Sequence, residues 1–339
     1  MQLKHETILR AVNNRSGKYN ILTFPTHEAY WSNHKDSLHT FYLFQGEGIK
    51  TWNNQYRQLP ENHILLDGTP GQLKPDMKVD IVLSQNKFGQ FQVAQQIAEH
   101  LNVPFVSIEH TLPFPQWPAK QREQMSKMRG DINIFISDYS IGEWGFDSSD
   151  PTVRVIHHGI DQQKFSPASE TEPKPKPHIL TVVNDWINRD WCCGWSIFSR
   201  VANGLNVSPL GDTPGFSKPA ESIEHLVKAY QDCAVFLNTS TISPVPTALL
   251  EAMSCGCPVV STATCMIPSI LQDGVNGFVS NDESYLRDRL EWCLKNPEEA
   301  RNTIGKAARE TILSRFSLEK HLSDWNNVFK EVYGKALRK

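Results

Sequence analysis

The sequence lacks the features of membrane, secreted and disordered proteins. Its most apolar runs, such as Ile132–Ile136 and Ala234–Leu237, have the length of a strand, far short of the about 20 residues of a membrane helix. The N-terminus has no apolar segment of the kind found in signal peptides. Charged residues make up only 21% of the chain against 39% hydrophobic residues, too few for a solvated, disordered polypeptide. These absences predict a soluble, cytoplasmic protein with a large core.

Recognisable metal-binding motifs are also missing. None of the seven cysteines is spaced as CxxC, and the chain has neither HExxH nor Asp-x-Asp. An odd number of cysteines in apolar stretches is typical of reduced, buried thiols. The adjacent His157 and His158 are poorly placed to share one ion, so we expect no metal and no bound cofactor. The formal net charge of −3 argues against a globally basic, nucleic-acid-coating protein, although a local basic face is compatible with it.

Short β-rich runs alternate with helical segments in the first half of the chain. Strands are predicted at Asn20–Phe24, Thr40–Phe44, Ile64–Leu66, Asp80–Leu83, Phe105–Ile108, Ile132–Ile136 and Val153–Ile156. These runs are continuously apolar, as expected of strands that helices cover on both faces. An amphipathic stripe over Phe88–Leu101 predicts one of those helices. The βαβ alternation predicts an α/β fold with a doubly wound parallel sheet.

A proline-rich, charged segment separates this half from the next. Ser166–His178 has almost no apolar residue and predicts an extended linker. Strand and helix signals then resume, at His178–Val183, 191–203, Asn206–Leu210, Ile223–Tyr230, Ala234–Asn238, a helix from Thr247, and Pro258–Ser261. The expected organisation is a domain at 1–165, a linker at 166–177, a second α/β domain at 178–317 and an amphipathic C-terminal helix at 318–339.

The segment Asn238–Asp282 carries the most chemical information. A helix is predicted to begin at Thr247, after two prolines, and to end at Gly256. Its apolar residues cover most of its circumference, so Glu251 is expected to be buried. A buried carboxylate costs several kcal/mol unless it is paired, and either ligand hydroxyls or a distant lysine or arginine could pair it. The free N–H groups of Thr247 and Ala248 would suit a phosphate.

Three stretches resemble a known family. LLEAMSCGCPVV (Leu249–Val260) and IPSILQDGVNGFVSND (Ile267–Asp282) resemble the donor-binding region of the family-four, or group 1, retaining glycosyltransferases of the GT-B type. VRVIHHGIDQQKFSP (Val153–Pro167) resembles the segment before that family's interdomain linker. The resemblance implies two Rossmann-like domains facing a cleft, with a nucleotide sugar bound mostly by the second domain. It also implies a C-terminal helix that crosses back to the first domain and, as co-substrate, a nucleotide diphosphate sugar, most often a UDP-sugar.

The family's motif has two acids separated by seven residues. The second acid falls on Glu251, which the resemblance assigns to the ribose hydroxyls, and the first falls on Ser243, beside the donor sugar. Of the family's basic diphosphate-binding pair only Arg189 has a counterpart, because Cys193 stands where the lysine is usual. The diphosphate would also meet the first amides of the helix, those of Thr247, Ala248 and Leu249.

Candidate residues of the first domain follow its predicted strands. His110 comes just after Phe105–Ile108, and the carboxyl ends of parallel strands are where such folds place ligand groups. The resemblance assigns a histidine here to the donor sugar, whereas the alternative is a residue that only caps the loop. His27 and Glu28 follow the first strand, where relatives have a glycine-rich loop, and are expected near the acceptor.

The resemblance thus predicts a metal-independent retaining glycosyltransferase in which His110, Glu251 and Arg189 carry the catalysis. The missing acid and lysine leave a non-catalytic, sugar-nucleotide-binding relative as an alternative. A sugar-phosphate epimerase on the same fold is a third, which the LLEAM run disfavours.

The acceptor prediction depends on the segment His110–Asp131. Trp117 precedes four cations that include Arg122 and Lys127, and aromatics followed by cations would suit a nucleic acid. The first half also loosely resembles virus-encoded glycosyltransferases, some of which add sugars to hydroxymethylated DNA bases. The alternatives are a solvated basic helix, or a helix facing anionic lipid while a cell-surface glycan or glycolipid is extended.

Overall fold

The computed structural model describes residues 17–54, 57–169 and 175–336. They form two compact units: unit 1 takes the chain up to Gly159 and again from Glu319, and unit 2 is Ile160–Leu318. The division at Gly159 lies six residues before the predicted domain end at 165. Ile160 and Phe165 are buried in the core of unit 2, which explains this position.

Each unit contains one parallel sheet. The seven strands of unit 1 are β1 Asn20–Thr23, β2 Thr40–Leu43, β3 His63–Leu65, β4 Ile81–Ser84, β5 Phe105–Glu109, β6 Ile132–Phe135 and β7 Val153–Val155, in the order β3-β2-β1-β4-β5-β6-β7. The five strands of unit 2 are β8 Lys176–Val182, β9 Val207–Leu210, β10 Cys233–Asn238, β11 Val259–Ser261 and β12 Phe278–Val279, in the order β12-β11-β10-β8-β9. The predicted α/β class and parallel sheets are confirmed.

Helices connect most consecutive strands, as is usual for parallel pairing. In chain order they are α1 Glu28–Trp31, α2 Phe91–Leu101, α3 Ala119–Ser126, α4 Asp138–Glu143, α5 Asp190–Cys193, α6 Trp195–Val201, α7 Ile223–Asp232, α8 Thr247–Ser254, α9 Ile267–Ile270, α10 Glu283–Lys295, α11 Pro297–Ala300, α12 Lys306–Arg315 and α13 Leu318–Ala336. A 3₁₀ turn lies at Ser32–His34 and a π-helical turn at Arg301–Gly305. No helix in these described ranges has both the length and the apolarity needed to span a membrane.

The core of unit 1 explains its strand pattern. All four residues of β4 and of β6 are buried, because helices lie on both faces of the sheet. On one face, α13 contributes Trp325, Val328, Phe329, Val332 and Tyr333 to the same apolar cluster as Ile21 of β1. The amphipathic stripe of the C-terminal helix is therefore used inside unit 1.

In unit 2, three elements differ from the sequence prediction. Strand β8 begins at Lys176, within the predicted linker, because Lys176 pairs with Cys233 of β10; residues 170–174 of that linker lie outside the described ranges. The predicted helix near 191–203 is interrupted at Gly194, which has a φ of 68°. Strand β12 has only two residues and was not predicted.

The seven cysteines are all free and six of them are buried, as their apolar surroundings predicted.

Candidate functional site

Helix α8 in unit 2 has the predicted start and burial. It begins at Thr247, after Pro246 in extended conformation, and Gly256 follows its end with a φ of 66°. Leu249 and Leu250 are fully buried. Eight residues before Glu251, Ser243 is half-buried and precedes the first of the two prolines. The first residues of the helix, Thr247 and Ala248, are therefore more exposed than the buried residues that follow them. Ser243 precedes this turn in the sequence.

Glu251 is buried and has a tyrosine as a hydrogen-bond partner. Its side chain is 7% exposed, and its Oε2 accepts a hydrogen bond of 3.0 Å from the hydroxyl of Tyr230. Burial and the neighbouring carboxylate raise the pKa of Tyr230 well above its usual value, so this hydroxyl remains a donor. Sequence reasoning missed Tyr230, which lies at the end of α7. The tyrosine partly solves the problem of burying a charged group.

One of the three predicted phosphate-binding amides is already used. The N–H of Leu249 donates to the carbonyl of Pro246 at 3.1 Å, because the chain makes a tight turn on entering the helix. The amides of Thr247 and Ala248 have no carbonyl ahead of them within α8, and both residues are half-buried. The predicted amide set is therefore corrected to Thr247 and Ala248.

Arg189 lies in a loop that is attached to the same segment of unit 2. Its side chain is exposed, and the residue is at the N-cap position of α5 without a capping hydrogen bond from its side chain. The carbonyl of Cys192 accepts the N–H of Thr241 at 2.9 Å, and that of Cys193 accepts the hydroxyl of Thr239 at 3.1 Å. The loop of Arg189 and the segment before α8 are thus brought together, as the predicted donor site requires. Cys193, at the usual lysine position, is buried.

In unit 1, two of the predicted residues are in direct contact at the carboxyl edge of the sheet. The rings of His110 and His27 stack with centroids 3.9 Å apart, and His110 meets Tyr30 edge-on at 4.7 Å. His27 has a φ of 58°, a left-handed conformation that glycine adopts most readily. Burial holds the pKa of His110 well below its usual value. The imidazole is therefore neutral, and its buried Nε2 has no hydrogen-bond partner among the described residues.

Glu28 is directed toward the backbone rather than toward an open surface. It is 8% exposed, and its Oε1 accepts the N–H of Asn53 at 3.2 Å. Its predicted acceptor-side role therefore stays a prediction, and the observed contact is structural.

A buried acid and amine behind His110 were not anticipated. Glu109 and Lys87 are 1% and 2% exposed, and the ammonium of Lys87 donates to the carbonyl of Met128. Lys87 also lies 4.9 Å from the ring centroid of Phe146. Burial raises the pKa of Glu109 to about 8, and the charge of Lys87 opposes this rise. No sequence pattern marks this pair, because 22 residues separate its members.

The predicted acceptor segment has fewer free groups than its sequence suggests. Helix α3 has no buried residue, and Arg122 on it is exposed, but Lys127 pairs with Glu123 at 2.7 Å. Trp117 packs against Phe114 with ring centroids 4.7 Å apart, and against other aromatic side chains. Trp117 is half-buried among these aromatic rings, and its acceptor-side role stays a prediction.

In the ranges that the structure describes, no group of three His, Cys, Asp or Glu side chains is arranged to hold a metal ion. The absence of a metal requirement stays a prediction, because it concerns the reaction rather than the arrangement of these side chains.

Comparison with known proteins agrees with this geometry. Residues 215–311 match the family of glycosyl transferases group 1. The chain is 35% identical to the N-acetyl-alpha-D-glucosaminyl L-malate synthase of Bacillus anthracis over 86 residues, which cover 25% of this chain and 22% of that protein. It is 27% identical over 223 residues to a protein of Escherichia coli named as a colanic acid biosynthesis glycosyltransferase, WcaL, covering 56% of this chain and 54% of the relative.

The fold extends the match beyond these alignments. The structure of Anabaena HepE in complex with UDP superposes with a TM-score of 0.72 and 15% identity, covering 93% of this chain and 100% of HepE. The curated relatives, by contrast, are matched over about half of their length or less. Residues 215–311 thus match the group 1 glycosyl transferases, in a chain whose two parallel-sheet units match the fold of GT-B glycosyltransferase structures.

Proposed function

We propose that this protein is a retaining glycosyltransferase that transfers a sugar from a nucleotide diphosphate sugar, most simply a UDP-sugar, to an acceptor hydroxyl. The observation that carries the proposal is the buried Glu251 on α8, held by Tyr230 within the segment that matches the group 1 family. HepE, which shares the fold, was solved with UDP.

The residues of unit 2 have the chemistry that a donor nucleotide needs. Glu251 would accept hydrogen bonds from ribose hydroxyls. The exposed Arg189 and the amides of Thr247 and Ala248 would stabilise the negative charge that develops on the leaving nucleoside diphosphate. The contacts of Ser243 and His110 with the transferred sugar stay predictions from the resemblance.

The proposed reaction needs no enzyme nucleophile. The acceptor oxygen bonds to the anomeric carbon on the face from which the diphosphate leaves, so the configuration is retained. The bond from that carbon to the phosphate oxygen breaks, and the departing phosphate takes the acceptor's proton. The chain's contribution is positioning and charge stabilisation. We propose that no metal ion takes part, so excess EDTA should leave the rate unchanged.

For the acceptor, we propose a carbohydrate or other small hydroxyl compound rather than modified DNA. WcaL is named for colanic acid biosynthesis, and the Bacillus relative for L-malate. On the basic segment, Lys127 and Arg129 pair with Glu123 and Asp150, which reduces the charge available for a nucleic acid backbone. A hydroxymethylated DNA base is the second candidate, favoured by the exposed cation Arg122 on α3.

The test measures nucleotide release and product formation with a panel of UDP-, GDP- and ADP-sugars. Acceptors are a bacterial oligosaccharide pool, L-malate and DNA containing hydroxymethylcytosine. We expect slow donor hydrolysis without acceptor, and transfer with retained anomeric configuration by NMR when a carbohydrate or hydroxy acid is present.

Other outcomes identify the alternatives. Donor binding without hydrolysis or transfer would make the chain a non-catalytic relative. An epimerised sugar would indicate the epimerase, and a hexose- or pentose-sized mass gain on DNA alone would overturn the acceptor proposal. If no nucleotide sugar stabilises the protein against heat, the donor site is wrong, because ligand at a hundred times its Kd should add about 2.7 kcal/mol.

A further inference from the structure

Two arginines from outside α8 hold the carboxyl end of this helix. The last carbonyls of a helix have no partner within it. Arg301 Nη1 donates to the carbonyls of Cys255 at 3.3 Å and Gly256 at 3.4 Å. Arg309 Nη1 donates to the carbonyl of Ser254. Both cations also interact favourably with the negative end of the helix dipole.

The two arginines differ in what else they bind. Arg301 Nη2 donates to the carbonyls of Tyr230 at 3.2 Å and Cys233 at 2.8 Å. Arg309 instead donates to the carbonyls of Phe165 and Gln162, at 3.0 Å each. Because a guanidinium is planar and rigid, Arg301 fixes the end of α8 relative to the end of α7, where Tyr230 lies. Arg309 fixes the same helix end relative to a different segment.

The link through Arg301 reaches the carboxylate of Glu251. Tyr230 is fully buried, and its hydroxyl donates to Glu251 Oε2 at 3.0 Å. The tyrosine backbone is therefore held by Arg301, and its side chain holds one oxygen of the glutamate. This leaves the carboxylate with a defined rotation. A ribose that hydrogen-bonds to this carboxylate would meet a preorganised acceptor.

We infer that Arg301 and Tyr230 are positioning residues that orient Glu251 toward the ribose hydroxyls of the donor nucleotide. The inference rests on the proposed function, since it takes Glu251 as the ribose-binding residue. It adds two side chains that do not touch the nucleotide and act through Glu251. Their effect should therefore depend on whether the ribose hydroxyl is present.

The test compares the binding of UDP and 2′-deoxy-UDP by calorimetry. In the wild type, we expect UDP to bind about tenfold more tightly, the size of one charge-assisted hydrogen bond. Tyr230→Phe and Arg301→Lys should each reduce this ratio to about twofold. Combining them should reduce it no further, because both act through one contact. The matched control is Arg309→Lys, which weakens the same helix end and should keep the wild-type ratio.

The control separates positioning from general stability. If Arg301 were only structural, Arg301→Lys and Arg309→Lys would both lower the melting temperature and leave the ratio unchanged. Such a result, together with an unchanged ratio in Tyr230→Phe, would refute the inference. If Arg301→Lys does not fold, Arg301→Gln and Tyr230→Phe provide the same measurement.

The glutamate itself distinguishes this failure from failure of the proposed function. If Glu251→Gln loses the preference for UDP while Tyr230→Phe and Arg301→Lys keep it, the positioning inference is wrong and the ribose assignment stands. If Glu251→Gln keeps the preference, the ribose assignment is wrong and the inference falls with it. If UDP, GDP and ADP all fail to bind the wild type, the donor site is refuted as well.

Discussion

Replacing Gly194 by alanine should disrupt the attachment of the Arg189 loop to the segment before α8. Gly194 has a φ of 68°, and a Cβ at this position would lie 1.9 Å from the carbonyl oxygen of Thr239. Real Cβ atoms essentially never lie closer than 3.0 Å to another atom, and ordinary contacts are 3.4–4 Å, so the backbone must move by more than about 1 Å. That movement would break the hydrogen bonds from Thr241 and Ile242 to the carbonyl of Cys192 and from Thr239 to Cys193.

The cost can be worked out against a matched glycine. Gly204 has a φ of 74° and no atom within 4 Å of the added Cβ. Its substitution by alanine costs only the strain of an alanine in left-handed conformation, about 1–2 kcal/mol. Part of this cost is offset, by about 0.4–1 kcal/mol, because alanine lowers the conformational entropy of the unfolded chain. Gly194→Ala loses in addition three hydrogen bonds of about 1 kcal/mol each. We therefore expect it to be about 3 kcal/mol less stable than Gly204→Ala.

Thermal unfolding of the two variants provides the measurement. At about 2–4 °C per kcal/mol for a domain of this size, Gly194→Ala should unfold roughly 10 °C below Gly204→Ala. Nucleotide binding should be weakened in Gly194→Ala and kept in Gly204→Ala. Equal melting temperatures would refute the reasoning, since the two variants share the backbone strain and differ in the contact with Thr239.

Three further predictions concern single side chains. Glu251→Gln should keep a hydrogen-bond acceptor for the Tyr230 hydroxyl and lower kcat/KM about tenfold. Glu251→Ala should in addition lower the free energy of unfolding in chemical denaturation by about 1–3 kcal/mol, because the Tyr230 hydroxyl loses its partner. Arg189→Ala should reduce turnover by at least about tenfold without changing the melting temperature, because its side chain is exposed; unchanged kinetics would exclude it from the donor site. Burial lowers the pKa of His158 to about 3 and of His321 to about 4 in the folded protein. As the pH falls, these histidines are therefore protonated in the unfolded chain before they are protonated in the folded one. The free energy of unfolding of unit 1 should be highest above about pH 6.5 and fall as the pH drops toward 4, and urea denaturation that gives equal stabilities at pH 7 and pH 5 would contradict this.

The strands were predictable because their burial is visible in the sequence itself. Ile132–Ile136 has apolar residues on both faces and Asn133 as its one polar residue, and the observed β6 ends one residue earlier. The interruption at Gly194 was not predictable from local pattern, since the residues on both sides of it have the composition of one helix. Its cause is the carbonyl of Thr239, which approaches from 45 residues further along the chain.

The candidate site was predictable in part for a related reason. The carboxyl ends of parallel strands lie at one edge of a sheet, and His27 after β1 and His110 after β5 form a stacked pair there, with only β4 between the two strands. The hydrogen-bond partner of Glu251 could not be predicted from the position of strand ends. Tyr230 is the one buried residue of the amphipathic helix α7, and in sequence it has the pattern of any core aromatic. Only its position shows that the hydroxyl, rather than the ring alone, matters.

The two ends of α8 differ in how far neighbouring residues in the sequence predict their hydrogen-bond partners. At the N-terminus, the prolines and the first amides are contiguous in sequence, so an anion-binding end could be predicted before the structure was known. At the C-terminus, the carbonyls are satisfied by Arg301 and Arg309, which lie about 50 residues away in sequence. Because these arginines occupy the carboxyl end, the amides of Thr247 and Ala248 remain as the part of the helix backbone that can meet a ligand. The donor site is therefore expected at the N-terminal end of α8, with the carboxyl end serving as its anchor.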